Sequence, residues 1–386
     1  MQENSENIRN WLRLVRCNGV GPTIFMRLLK HFGTVDAVLN ASATGLEKVD
    51  GVGPKTAEQI LRTKNNFDID KEIELAEKFD TAIINLEDER YPTLLKKIYD
   101  PPPVLYVKGD LVASDSLAVA IVGSRGCSHY GSEQASRFAH LLAAAGFTIV
   151  SGMARGIDSA AHTGALSAGG RTIAVQGCGL SRIFPPENKS LFEKISQSGA
   201  CISELPMGYE PLAENFPARN RIIAGLCLAT IVIEAMPRSG ALLTAKAALE
   251  NDREVMAVPG RVDSPLSKGP HSLIKQGARL VESVDDVIET LEFLKKEFAD
   301  YVAVSAAQTV KNVEMPLFDF SQLKLTEDER KIFDCLDGEP VHVEQIIAET
   351  GIPAGKVNAT LVALRLKGII KNLPGNFFCK KVMNNE

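Results

Sequence analysis

Several short runs in this chain combine small residues with a hydroxyl or an arginine. They are Gly123-Ser124-Arg125, Ser151-Gly152 through Arg155-Gly156-Ile157-Asp158, Arg219-Asn220-Arg221 and Arg238-Ser239-Gly240. Such runs suit anion binding. Glycine and serine let a phosphate approach backbone N–H groups, and a helix start favours negative charge. A guanidinium grips phosphate in a planar, two-point way, and Asn220 could bond a base edge. Arg171, after Gly169-Gly170, opens a further apolar run. Any one of these arginines alone would read as a surface residue or an ion-pair partner; several at one edge of a sheet would not.

Catalysis has a weaker claim on the same residues. Asp158 and His162 are four apart at a predicted helix start, so they share a face, and an aspartate orienting a histidine is half of a general base. Asp158 could equally cap that helix, and His162 could pack against the sheet. No G-x-S-x-G elbow supplies a nucleophile, and Gly53-Pro54-Lys55-Thr56 spaces its Gly and Lys wrongly for a Walker motif. Nothing has metal-ligand spacing, and Gly169-Gly170-Arg171 precedes its strand where a dinucleotide fingerprint must follow one. The expectation is a binding protein with no catalytic residue, no metal and no cofactor.

The elements that would position these runs alternate β-rich and helical stretches over residues 80–295. Candidate strands are Thr81–Leu86, Val104–Val107, Leu117–Val122, Phe147–Val150, Arg171–Val175, Ala200–Ser203, Thr230–Glu234 and Glu254–Val258. Several are continuous apolar runs, as expected of strands covered on both faces, so the fold class is α/β with an extended, Rossmann-like, mostly parallel sheet. In such sheets ligands sit outside the carboxyl ends of the strands. Asp100-Pro101-Pro102-Pro103 must be extended.

Before the sheet, residues 1–75 read as helical and repeat Gly19-Val20-Gly21-Pro22 as Gly51-Val52-Gly53-Pro54. This has the look of a helix-hairpin-helix pair of the SAM-like kind, able to hold a phosphate on exposed amides or merely to turn a corner. Residues 296–322 read as a linker. Residues 323–386 read as a winged helix, with helices near Glu327–Leu336, Val343–Thr350 and Lys356–Lys367 and then a hairpin around Leu373–Asn376. Its third helix offers mainly Lys356, Arg365 and Lys367, few groups for a helix reading the major groove.

Bulk properties agree with a soluble protein. The 386 residues are 45% hydrophobic and 24% charged, with a net charge of −5. That balance argues against binding through bulk positive charge but allows a local basic cleft. The polar start MQENSENIRNW lacks the order of a secretory signal, and no apolar run is long enough to span a bilayer. The seven cysteines are scattered and odd in number, as expected of free thiols in a reducing compartment. The expected location is the cytoplasm, with no membrane partner.

Together these residues resemble the DNA-processing protein A family. The likeness is carried by Tyr91-Pro92 with Asp100-Pro101-Pro102, Ile121-Val122-Gly123-Ser124-Arg125, and Ser151-Gly152 through Asp158 with Ala161-His162. It continues in Gly170–Val175, Ser203-Glu204-Leu205-Pro206, Phe216-Pro217 with Arg219–Leu226, Ser239-Gly240 to Thr244-Ala245, and Val258-Pro259-Gly260. The resemblance implies a non-enzymatic protein that binds and protects single-stranded DNA, dimerises through its Rossmann-like domain, and helps load the RecA recombinase in natural transformation. Carried over by position, the DNA-contacting set is Gly123, Ser124, Arg125, Arg171, Arg219, Asn220 and Arg221, with Ser239 and Gly240 at the last turn. Phe184, where the family often has an aromatic before proline, would stack on a base or be an ordinary buried ring. The stretch matching His271–Leu280 would form the dimer surface, with Ile274 and Leu280 as apolar contacts and Lys275 and Gln276 close to a RecA contact. One alternative is a nucleotide-processing enzyme like the phosphoribohydrolases, whose P-G-G-x-G-T-x-x-E signature aligns with Pro237–Thr244. Ala245 or Ala247 then stands where the essential glutamate should be. The other is a winged-helix DNA-binding regulator with the core as a ligand sensor.

Overall fold

The computed structural model describes residues 2–62, 68–291, 325–336, 340–366, 370–373 and 376–380. Nine strands form the main sheet: β1 (Ala82–Asn85), β2 (Val104–Gly109), β3 (Ala118–Val122), β4 (Thr148–Ser151), β5 (Thr172–Val175), β6 (Ala200–Ser203), β7 (Ala229–Val232), β8 (Glu254–Ala257) and β9 (Arg279–Leu280). Their order is β1-β2-β6-β5-β4-β3-β7-β8-β9. From β6 to β9 every neighbouring pair is parallel, while β1 and β2 are antiparallel additions. The β-branched and small residues of β3 through β7 are buried on both faces, which is why their sequence shows no alternation. The chain runs outward from β3 to β6, then returns to place β7 on the other side of β3. That reversal opens a crevice at the carboxyl ends of β3 and β7, the place where such sheets bind ligands.

Strand β9 was not foreseen; at two residues it is too short for periodicity to show. The extended Asp100–Pro103 segment is held by the buried Tyr91 hydroxyl, which donates to Pro102 O at 2.7 Å.

The N-terminal helices share one hydrophobic core with the sheet, running from Trp11 and Phe25 through Tyr106 to Val255. Residues 1–140 and 147–280 accordingly form one unit. Arg16 donates to Glu204 O at 3.2 Å, and Glu72 accepts from the Met207 N–H at 2.7 Å. The two Gly-Val-Gly-Pro turns have the same geometry, with Gly19 and Gly51 both at φ +88°. Each packs on the helix that the other starts: a Cβ on Gly19 would meet Thr56 Oγ1 at 2.9 Å, and one on Gly51 would meet Ile24 Cγ1 at 3.7 Å. Thr56 and Ile24 occupy equivalent positions, two residues after each proline. The repeat therefore encodes a pseudo-twofold pair of hairpins.

The second unit comprises residues 141–146 and 281–386. Ile332, Leu336, Ile346, Val357, Leu361, Leu364 and Ile370 make its own core. Helices Glu327–Cys335, Val343–Thr350 and Ala354–Leu366 are followed by strands β11 (Ile370–Leu373) and β12 (Phe377–Lys380), which pair with the short β10 (Val341–His342) in the order β10-β12-β11. Thr326 and Glu329 form a capping box at the first helix. The expected linker over 296–322 lies outside the described residues, as does Lys367.

Candidate nucleic-acid interface

Two turns meet at the carboxyl ends of β3 and β7. The Ser124 N–H donates to Glu234 O at 2.7 Å, which clamps the Gly123–Arg125 turn against the strand beside it. Glu234 is buried, and its carboxylate accepts from the Ser128 N–H at 2.8 Å and from the Ser128 hydroxyl at 2.6 Å. Ser128 in turn accepts from the Gly131 N–H at 3.0 Å at the start of helix His129–Ala144. Glu234 thus pins the turn that carries Arg125. No side chain fits at Gly123, because a Cβ there would lie 2.9 Å from Glu234 O.

The β7 turn ends in Ser239, whose hydroxyl accepts from the Ala241 N–H at 3.3 Å and caps helix Gly240–Glu250. Helix Asn215–Gly225 lies beside it, and Asn220 donates to Gly240 O at 3.1 Å. Between these elements is an open cleft of about 800 Å³. Gly123, Ser124, Arg125, Phe216, Arg219, Asn220, Arg238, Ser239 and Gly240 all border it. Arg125 and Arg238 are exposed and have no ion pair among the described residues. The Arg125 guanidinium lies over the Phe216 ring, 5.2 Å from its centroid. Phe184 is half-buried and does not border the cleft; its ring sits 5.7 Å from Phe216 and extends that aromatic surface.

Three expected contacts are placed differently. Arg171 precedes β5, so it stands at the amino edge of the sheet, away from the cleft. It makes a two-point bond to the buried Asp115 at 2.8 and 2.9 Å, and it also donates to Asp110 O. Arg221 faces a smaller pocket beneath the N-terminal helices, bonded to Asp100 at 2.9 Å and Glu204 at 2.6 Å. One helical residue separates it from Asn220, a rotation of about 100° that turns it to another face. Arg219 reaches the cleft floor but is buried, donating to Gly152 O at 2.6 Å and to Val175 O. A Cβ on Gly152 would lie 2.6 Å from that guanidinium, so only glycine admits it. Burial lowers the Arg219 pKa to about 10, which leaves it charged at neutral pH. The expectation that these arginines gather at one edge as free phosphate ligands is therefore corrected: Arg171 and Arg221 are internal ion-pair partners, and Arg219 supports the floor.

The Asp158–His162 pair does not form a general base. Asp158 accepts from the Gly152 and Ala154 N–H groups at 3.1 and 3.3 Å, tying the β4 turn rather than capping its helix. Burial raises its carboxyl pKa, opposed by the charge of Arg219 and these amides. His162 is fully buried and lies 2.7 Å from Thr172 Oγ1. The Thr172 hydroxyl proton goes to Ile149 O at 2.7 Å, so the imidazole Nδ1–H donates to Thr172 and Nε2 is left bare. Burial accordingly lowers the His162 pKa to about 3. Among the described residues no group of His, Cys, Asp and Glu could hold a metal, and no helix is long and apolar enough to cross a membrane.

Sequence reasoning passed over Phe216 and Glu234 as site residues. Phe216 could have been found from its helical spacing to Asn220. Glu234 has no such signal, since an acidic residue beside an anion site looks unfavourable until its bonds to Ser128 are visible.

Comparison with known proteins bears on the family and the fold. Residues 82–292 match the family described as DNA recombination-mediator protein A, residues 319–376 the DprA winged helix domain, and residues 12–63 the SAM-like helix-hairpin-helix tandem. Protein Smf of Synechocystis is 36% identical over 95% of this chain and 96% of its own length. Protein Smf of Escherichia coli is 41% identical over 76% of each chain. The crystal structure of DNA processing protein A from Streptococcus pneumoniae superposes with a TM-score of 0.64 at 37% identity, covering 72% of this chain and 97% of that one. A structure concerned with the single-stranded DNA binding mode of DNA processing protein A from Helicobacter pylori gives 0.50 at 30% identity, covering 57% of this chain and 97% of that one.

Proposed function

The chain belongs to the DNA recombination-mediator protein A family, and on that premise we propose that it binds single-stranded DNA at the carboxyl edge of its sheet, in the DNA processing that accompanies transformation. The observation that carries this reading is the pairing of Arg125 and Arg238, exposed and without ion pairs among the described residues, with the helix start at Ser239-Gly240 on one open cleft. Phosphates would lie against the amides of Arg125 and Gly126, since the Ser124 amide is taken by Glu234 O, and against these two guanidiniums. With these groups engaged on phosphates, none is left for a base edge, so binding is sequence-tolerant. The relative from Helicobacter pylori, for which a single-stranded DNA binding mode is described, supports the same ligand class. The chemistry is binding rather than catalysis: the Asp158 and His162 side chains are committed to internal bonds.

The protein further acts as a homodimer and delivers its strand to the RecA recombinase. Supporting this is the sheet's last strand, β9, which pairs only with β8 among the described residues and carries the exposed Leu280. Half-buried Ile274 and His271 and exposed Lys275 and Gln276 precede it in the chain, on and after helix Lys268–Lys275, which packs against β8. Cysteines without disulfides suit the cytoplasm. The test is a titration of fluorescent single- and double-stranded oligonucleotides at two salt concentrations. Tighter binding of the single strand, weakening as salt rises, is expected. Equal affinity for both forms would count against the cleft.

A further inference from the structure

Resting on the single-strand reading, we propose that Met236 and Leu243 are base-contacting residues that give the cleft its preference for unpaired strands. Both border the cleft and both are unusually open for large apolar side chains, with exposures of 53% and 47%. Met236 sits in the β7 turn two residues before Arg238, and Leu243 lies one turn into the helix that Ser239 caps. Helix packing explains why Leu243 cannot withdraw. The Asn220–Gly240 bond holds helices Asn215–Gly225 and Gly240–Glu250 side by side, and the buried faces of Ala241, Thr244 and Ala245 are already filled. Leu243 is left facing out, on the same cleft as Phe216, Pro217 and Pro237.

The cleft thus offers two chemistries at once. Amides and guanidiniums suit an anionic backbone, and an apolar surface around a half-buried aromatic ring suits flat, weakly hydrated faces. A duplex presents phosphates but keeps its base faces stacked inside. A free phosphate or a phosphorylated side chain would leave Met236 and Leu243 in water. An unpaired strand fills both surfaces, because every base has a face to offer whatever its sequence.

The experiment compares an oligothymidylate with a backbone of the same length that lacks bases, by fluorescence anisotropy on the full chain. The wild type should bind the base-bearing strand about tenfold more tightly, as one lost base contact implies. Met236→Ala/Leu243→Ala should remove most of that preference while leaving affinity for the base-free backbone and the salt dependence unchanged. Met236→Leu should retain it. Equal loss on both ligands, or no loss on either, overturns the assignment. A wild type indifferent to bases also overturns it while leaving the phosphate cradle standing. Failure to bind either ligand would end the single-strand reading and this inference with it.

Discussion

Gly123-Ser124-Arg125 and Gly169-Gly170-Arg171 look alike in sequence, each two small residues and an arginine beside an apolar strand, yet they stand at opposite edges of the sheet. The first follows β3 and opens onto the cleft; the second precedes β5 and closes a two-point ion pair with Asp115. The difference teaches that strand polarity decides what an arginine does here. At the carboxyl edge, helix starts and turn amides collect positive potential that needs an external partner. At the amino edge, Asp115 already supplies the partner from within.

The strongest way to break that comparison is at the cleft floor, where Arg219 has features of both kinds. Replacing it with methionine leaves Gly152 O and Val175 O without their donor and Asp158 without its opposing charge. The loss of stability should be about 3–5 kcal/mol, the usual cost of removing one member of a buried charged group. Chemical denaturation checks this, and an unchanged midpoint would show that the floor is not held as described. Arg171→Ala should cost less, about 2 kcal/mol, because Asp115 keeps bonds from Thr148 Oγ1 and the Val112 N–H. Its single-strand affinity should equal that of the wild type. A drop in affinity without a drop in stability would return Arg171 to the binding surface.

Arg125→Ala should do the reverse. It touches Phe216 but has no ion pair among the described residues, so stability should shift by less than about 0.5 kcal/mol. Affinity should fall about tenfold, and the salt slope should shrink by about one, as expected when one phosphate contact is lost. Unaltered affinity at low salt would show that Arg125 holds no phosphate.

How much of this was readable beforehand follows from the same contrast. The apolar runs marked β1 through β8 and the turn residues marked their carboxyl ends, because burial on both faces and anion-binding turns leave local signatures. The position of Arg171 before its strand was also visible, and strand polarity alone would have excluded it from the carboxyl edge. The fate of Arg221 was not local: Asp100 and Glu204 lie far from it in sequence and meet it only through the fold. The groove-bordering role of Met236 and Leu243 was hidden for a similar reason, since an exposed apolar residue carries no mark in sequence distinguishing it from a buried one.

The smallest effect concerns His162, behind the cleft. Its bare Nε2 sits among buried groups, and its pKa falls to about 3, against about 6.5 when unfolded. Because the folded value is the lower one, the unfolded chain binds the extra proton between those limits. Stability from this residue is fully present above the unfolded value and is lost as pH falls toward the folded one. From pH 7 to pH 6 the loss should be about 0.7 kcal/mol. Asp158 titrates in the opposite sense, so the measurement is a difference: wild type against His162→Asn, which can keep the bond to Thr172. The wild type should lose more stability over that interval than the variant. Identical pH profiles would mean that His162 is protonated inside the fold, and that the floor beneath the cleft is more polar than its bonding pattern implies.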